Sequence, residues 1–381
     1  MSNSSPILLA LRSTGAVTAI GNSSLQTCAS WLTKVRRQRK IHLDEYKDPF
    51  TVADCYSVTE GLSGTVRLAA MLGSTVAEAC DALAIAPAML PAQSIQTTKH
   101  QKYGQTRTLN QEQLDTQADY LEILLLPNWL PSEDCDSLSA MLTDWLLAYP
   151  AWSNNRRERL IVQASTTGGW TALEHAYRAM EKNPYLQHVM IAAVDSACEP
   201  AELQHAAKQG WLLQAGNSQG YVAGEAAACV HLTRVQHITE VPAGSFALHR
   251  PKLMHTASRL WPSTEQPQAF PLEQVLSGAM QSAHMQGPNI SHLESDMDGS
   301  DWRAMLESTA LGHVIFNQSG GMEQWRPAIL LGQCGAASGL INWILPSLLH
   351  AQHIAGVNTV LNWAIEPSGE MAACVLERSP H

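Results

Sequence analysis

Between Leu160 and Glu225 two hydrophobic periods alternate in a fixed order, and that order limits the fold more than any other feature of the chain. Ile161-Val162-Gln163 reads as a short apolar strand, and Ala164-Ser165-Thr166-Thr167-Gly168-Gly169 as a tight polar turn. Trp170 to Met180 has helical spacing, and a second strand follows at Val189 to Val194, ending in Asp195-Ser196. A polar helix around Ala201 to Lys208 and a loop with Gly216 and Gly220 lead into Gly220-Tyr221-Val222-Ala223-Gly224-Glu225-Ala226-Ala227-Ala228, the start of a long strand. Strands alternating with helices of this length require crossover connections, hence a parallel sheet covered by helices.

The flanking chain repeats the pattern. Ile7 to Leu11 forms one buried strand, Gly15 to Asn22 a glycine-containing loop, and Ser23 or Ser24 caps a helix running to Val35. Leu62 to Leu83 has helical spacing, while Pro91 to Ala118 is polar and without a strong period, as in a loop-rich insertion. Tyr120 to Leu126 is a strand and Ser132 to Leu147 a capped helix. Beyond Leu232, Pro271 to Met285 is helical, Ile290 to Ser295 a strand and Ser300 to Thr309 a short helix. Ala328 to Leu331 reads as a strand, Gly335 to His350 as a helix, and Val357 to Ile365 with Glu370 to Leu376 as a closing pair of strands.

Composition excludes several classes. The 381 residues carry 34 acidic against 24 basic side chains, a formal net charge of −10, which argues against a nucleic-acid-binding surface over most of the chain, though not against a local patch. The one basic run is Lys34-Val35-Arg36-Arg37-Gln38-Arg39-Lys40, read either as a solvated helix end or as a dock for an acidic partner. No apolar run reaches the roughly 20 residues of a membrane span, and Met1 to Pro6 lacks a signal-peptide pattern, so a cytoplasmic location is expected. The 8 cysteines show no CxxC spacing and read as free buried thiols. His350 and His353, three apart, do not make a metal site alone, so neither metal nor cofactor is expected.

The order strand, turn, helix, strand ending in a small pair, then Gly-Glu-Ala opening a long strand, resembles the N-terminal half of a β-ketoacyl synthase of the thiolase superfamily. Gly15-Ala16-Val17-Thr18-Ala19-Ile20-Gly21-Asn22 is similar to that family's opening loop. The resemblance covers nearly the whole chain, most strongly at residues 7–37, 160–234 and 327–377. It implies an α/β, thiolase-like five-layer α-β-α-β-α fold built from two related halves. These halves are residues 1–235, with a loop and helix insertion at 41–118, and residues 236–381, and the resemblance also implies a dimer.

In that family a cysteine at a helix N-terminus carries the acyl chain, and two histidines, assisted by a lysine, stabilise the enolate left by decarboxylation. Counted back from His175-Ala176-Tyr177-Arg178, the cysteine position falls on Thr166, and no cysteine lies between Cys135 and Cys198. The first histidine position falls on Asp296, or on His292 in a register with a longer loop; the second falls on Gly332 and the lysine on Pro327. The family's closing Phe-Gly-Phe-Gly-Gly is replaced by Trp363-Ala364-Ile365-Glu366-Pro367-Ser368-Gly369. Thr166 is read as a helix cap or a weak nucleophile. Cys334 is read as a buried inert thiol or a relocated nucleophile whose pKa a helix N-terminus lowers. Gly168, Gly169, Trp170 and Gln333 are expected around the pocket, Trp170 as a plug or as helix packing; His313 and His292 are candidate bases. With all four catalytic positions altered, the resemblance implies an inactive binding, adaptor or assembly protein. Its expected partners are a second copy or a synthase-like protein, as for chain-length factors, an acyl carrier protein at the basic run, or a type VI secretion protein. The alternative is an active acyltransferase or 3-oxoacyl-[acyl-carrier-protein] synthase-like enzyme using Thr166 or Cys334.

Overall fold

The computed structural model describes residues 7–84, 98–102, 118–149, 156–257, 259–261, 268–315, 322–351 and 356–380. In chain order the first elements are β1 (Leu8–Thr18), α1 (Ser24–Leu32), β2 (Arg39–Ile41), β3 (Phe50–Ala53), α2 (Tyr56–Thr59), α3 (Gly64–Ala84) and β4 (Thr98–Lys102). Next come β5 (Tyr120–Pro127), α4 (Ser132–Leu147), β6 (Arg157–Ala164), α5 (Gly168–Lys182), β7 (His188–Ser196), α6 (Pro200–Lys208) and β8 (Ala223–Val235). The remainder is β9 (Phe246–Leu248), β10 (Lys252–His255), α7 (Phe270–Ser282), β11 (His292–Ser295), α8 (Asp301–Ile315) and β12 (Glu323–Trp325). It closes with α9 (Ala328–Leu331), α10 (Ser338–Ala351), β13 (Thr359–Ile365) and β14 (Glu370–Arg378).

The strands join in the order β12-β11-β13-β14-β9-β1-β8-β7-β5-β6-β4. β4, β6, β5 and β7 run parallel to one another, as do β12, β11 and β13, and antiparallel strands lie between these two blocks. The short strand β9 connects them, pairing Leu248 with both Leu9 of β1 and Leu376 of β14. Side-chain alternation then makes the layers. Leu121, Ile123 and Leu125 of β5 face a central core with α5 and α10, while Leu124 and Leu126 face the outer core under α3 and α4. At the other end, Ala372 and Cys374 of β14 face the same central core, and Met371, Ala373 and Val375 face α7 and α8. Two sheet blocks with helices outside and between them give helix-sheet-helix-sheet-helix, the expected α/β layering.

Local signals placed most elements well. Ser23 is the α1 cap, its side chain accepting from the Gln26 N–H. Four readings change. Residues 328–331 form a helical turn rather than a strand, because Pro327 opens it and its carbonyl accepts from Leu330 and Leu331 N–H. The edge strand there is β12. β4 adds a strand inside the polar stretch, parallel to β6, and the rest of residues 91–117 lies outside the described residues. The helix before the basic run ends at Leu32, so the run lies in a loop and β2, with Arg39 Nε 3.0 and 2.9 Å from the two Asp54 oxygens. Finally, Gly15 lies within β1, where a Cβ would stand 2.0 Å from the Thr75 carbonyl of α3, so close helix-strand approach requires the glycine. All 8 cysteines are buried thiols outside any disulfide. No helix among the described residues is long and apolar enough to cross a membrane.

The end of the sheet away from the α5 turn carries a ring stack. Tyr120, His188 and His231 sit side by side, with centroids 4.4 and 5.3 Å apart at angles of 13° and 14°. Burial pushes His188 down to about 4 and His231 down to about 3. An unfolded histidine titrates near 6.5, so as pH falls the unfolded chain takes up these protons first. The stability they contribute is complete above about pH 6.5 and is lost as pH drops through about 4 and then about 3. In urea titrations at neutral pH and near pH 4.5, the His188→Phe/His231→Phe protein is expected to lose less stability on acidification than the parent chain. Equal losses would remove the stack from the account.

Candidate functional site

The turn between β6 and α5 sits at the C-terminal end of a parallel block, where α/β sheets place ligands. Residue 167 is the N-cap of α5 and makes no side-chain cap bond within its own helix. The Thr167 backbone N–H and hydroxyl instead both donate to Oε1 of Glu366, at 2.8 and 2.7 Å. The capping position is therefore Thr167, and Thr166 lies one step outside the helix with its side chain on a cleft. Glu366 comes from the loop closing β13 to β14. Burial raises its pKa, against the pull of the two Thr167 donors. Open N–H groups make a helix N-terminus an anion site; here the chain's own carboxyl group fills it.

The cleft above Thr166 encloses about 240 Å³. Its polar lining includes Ser165, Thr166, Asp195, Gln333, Asp298 and Arg303. Trp129, Trp211, Tyr221, Trp261 and Trp302 wall the rest, so 4 of the chain's 11 tryptophans meet in one place.

Asp296 follows β11 and is buried at 2 % exposure. It pairs with Arg303 from α8 and accepts from the Ile365 N–H at 3.3 Å. Its burial outweighs that pairing and raises its pKa. Asp298 accepts from Ser300 N–H and hydroxyl and from Gln333 Nε2 at 2.9 Å. Although buried, it is held below the usual carboxylate range by Arg303 and these donors. Glu307 shares the cluster and is pushed up to about 8 by burial and by the Asp296 charge, while donors from Trp363 and Ser295 oppose the shift. One guanidinium thus serves several carboxyl groups in a structural knot, with Asp296 held as an acceptor.

Gly332 takes φ +70, and a Cβ there would come within 2.8 Å of the Val222 carbonyl, so the position is a backbone crossing with no reactive side chain. The next residue, Gln333, is the one that projects into the cleft. Pro327 caps α9 and lines a small void of about 10 Å³ with Asp296, Gly332 and Cys334.

Cys334 Sγ lies 3.5 Å from the Leu331 carbonyl oxygen. Burial, with Asp195 and Glu225 nearby, drives its pKa upward, the reverse of what a helix-activated thiolate needs. The helical start at Gly335 does not overcome removal from water.

Of the expected pocket residues, only Gln333 reaches the cleft. Gly168 packs on Ala164, where an added Cβ would lie 2.6 Å from that methyl group, and Gly169 lies against Gly339 of α10. Trp170 is fully buried and meets Trp343 edge-on at 6.0 Å. Gly169 and Trp170 form part of the α5–α10 contact and Gly168 packs on β6, because the helix turns them away from its N-terminal opening. His292 lies at the β11 edge, 3.0 Å from the Ser291 hydroxyl and beside the Trp325 ring, with its pKa lowered by burial. His313 lies on α8 with Nδ1 2.6 Å from Glu273. Neither lines the cleft. His353 and the His350 side chain lie outside the described residues.

Sequence patterning marks Asp195-Ser196 only as the end of a strand; the structure puts Asp195 on the cleft. It is 7 % exposed and accepts from Ala336 N–H at 2.9 Å, Ser196 N–H at 2.8 Å and Trp129 Nε1 at 3.4 Å. A Cβ on Gly335 would lie 1.9 Å from its Oδ2, so that glycine makes room for the carboxyl group. Burial pushes Asp195 up to about 7 despite the three donors, with Glu202 adding to the rise. A carboxylate closing an apolar parallel strand was the available signal.

No family model matches the chain, and no curated protein sequence does. Solved structures do match. One is a chain of a complex of a type II PKS acyl-carrier protein with its ketosynthase bound to the hexaketide: TM-score 0.73, 12% identity, 98% of this chain and 100% of that one. The ishigamide ketosynthase/chain length factor gives a TM-score of 0.64 at 14% identity over 97% of this chain and 99% of that one. A ketosynthase from module 6 of the bacillaene synthase of Bacillus subtilis 168 gives 0.69 at 12% identity over 97% of this chain and 72% of that one. The chain has the thiolase-like ketosynthase fold.

Proposed function

We propose that this chain is a ketosynthase-fold binding protein that does not condense acyl units and acts by pairing with a synthase-like partner, as a chain-length factor does. The observation that carries this reading is the Glu366 carboxyl group seated on the Thr167 N–H and hydroxyl. A condensing enzyme needs that helix N-terminus for an attacking anion and needs imidazoles for the developing enolate. Here the position is filled from within, and the nearby Asp296 is a further carboxyl group whose charge adds to the rise of the Glu366 pKa.

A second reading starts from the same contact. A threonine becomes nucleophilic only when an adjacent base takes its proton, and Glu366 lies 2.7 Å from the Thr167 oxygen. Against it, Thr167 is 1 % exposed, and Thr166 rather than Thr167 lines the cleft. Intact-mass spectrometry after incubation with malonyl- and acyl-thioesters separates the two. The expected result is no covalent adduct; an adduct abolished by Thr166→Ala, Thr167→Ala or Cys334→Ala would establish acyl transfer instead. The neighbours' descriptions as an acyl-carrier protein complex and a ketosynthase/chain length factor support looking for such partners by co-purification. Arg36 and Arg37 are exposed and available for an acidic carrier protein, whose binding would weaken with salt.

A further inference from the structure

The cleft holds more chemistry than an idle site requires. Asp195 and Glu202 both line it, and the Glu202 charge adds to the rise of the Asp195 pKa. Asp195 is more than nine-tenths buried, yet its three hydrogen-bond donors are two backbone amides and an indole, with no cationic side chain among them. Glu202, half-buried on α6, is also raised by burial, opposed only by His205. The neighbouring Arg303 is already committed to Asp296 and Asp298. Arg259, the other guanidinium on the lining, lies over Trp211 and donates from Nε to the Trp261 carbonyl. A buried carboxyl group whose hydrogen-bond donors are all uncharged, with a second carboxyl group nearby, is an electrostatic cost in a partly closed space, which a cation relieves.

The walls have the matching property. Trp211 and Trp261 have centroids 6.0 Å apart, and Trp261 stacks on Trp302 at 6.5 Å and 11°. The chain's own guanidinium groups already exploit these rings. Arg259 lies over Trp211 at 5.8 Å and Arg303 over Trp302 at 5.0 Å. Electron-rich ring faces beside carboxylates attract ammonium groups more strongly than either feature alone.

We propose that this cleft binds a small organic cation, with its ammonium group held by Asp195 and Glu202 and its alkyl part against Trp211, Trp261 and Trp302. A volume of about 240 Å³ suits a molecule with few heavy atoms. Asp195, Glu202 and Asp298 outnumber Arg259 and Arg303 on the lining, and both guanidinium groups are engaged with tryptophan rings, which disfavours carboxylate-bearing ligands such as malonate. The inference is independent of whether the chain condenses acyl units.

The test uses the full chain with choline as probe, 3,3-dimethyl-1-butanol as its uncharged isostere and malonate as the anion. Binding is followed by calorimetry and by tryptophan fluorescence. Choline is expected to saturate with a millimolar or tighter Kd, at least about tenfold tighter than the isostere, a difference of about 1.4 kcal/mol. Malonate is expected not to compete. Glu202→Gln, on a partly exposed helix, is expected to weaken choline binding several-fold with unchanged thermal stability. Asp195→Asn keeps the side-chain shape but loses one of the two acceptor oxygens that Ala336, Ser196 and Trp129 use, and is expected to weaken binding further. No saturation in the millimolar range, equal binding of the isostere, or full affinity in folded Glu202→Gln protein would each overturn the assignment.

Discussion

Arg67→Ala is expected to destabilise the chain by about 3–5 kcal/mol, the usual cost of leaving a buried charge without its partner. Glu225 is fully buried, and its Oε2 lies 2.6 Å from Arg67 Nε while Oε1 lies 2.9 Å from Nη2. The same carboxylate accepts from Cys55 N–H, the Thr59 hydroxyl and the Ser196 hydroxyl. It ties β8, β7, α2 and α3 together at the end of the sheet that carries the cleft. Glu225→Ala is therefore expected to cost at least as much, since it orphans the guanidinium and three further donors. Chemical denaturation of both variants checks this; a midpoint within experimental error of the parent for Arg67→Ala would refute it.

Thr167→Cys is expected to give an unreactive thiol, and adding Glu366→Gln is expected to raise its alkylation rate at neutral pH by roughly 10–100-fold. A thiol at a helix N-terminus gains thiolate character from the aligned N–H groups. A carboxylate in hydrogen-bond contact opposes ionisation by one or two pKa units, each a tenfold change in thiolate fraction. Iodoacetamide labelling followed by mass spectrometry compares the single and double variants. Residue 167 is 1 % exposed, so the comparison is of measurable rates: equal measurable rates would mean that Glu366 does not occupy the anion position, and the observation supporting the non-condensing reading would be lost. A fast reaction in the single variant would have the same consequence.

The layering was legible in the residues because each β–α–β unit announces itself locally. Ile161 to Val194 alternates a period of two with a period of 3.6, and β6, α5 and β7 appear within a few residues of the expected ends. The short apolar run Ala328 to Leu331 is ambiguous for a related reason. Four apolar residues fit either a strand or a helical turn, and Pro327, which decides between them, acts through backbone geometry that periodicity does not encode.

The site was less legible because it depends on offsets of one residue and on contacts far apart in the chain. Thr166 and Thr167 are indistinguishable by type, and only the helix start makes one the cap and the other a cleft residue. Gly332 and Gln333 differ in role because φ +70 at the glycine sets where the glutamine side chain emerges. Glu366 and Thr167 are 199 positions apart, and Asp195 meets Ala336 across 141.

From the sequence alone came the alternation of strands and helices, the absence of a thiol at the α5 turn, and the resemblance that these residues support. Tertiary structure alone decided that a glutamate closes the helix end and that an acidic, tryptophan-walled cleft stands beside it. The division is physical: periodicity records which face of each element is apolar, whereas the meeting of side chains at strand ends is set by how the layers stack.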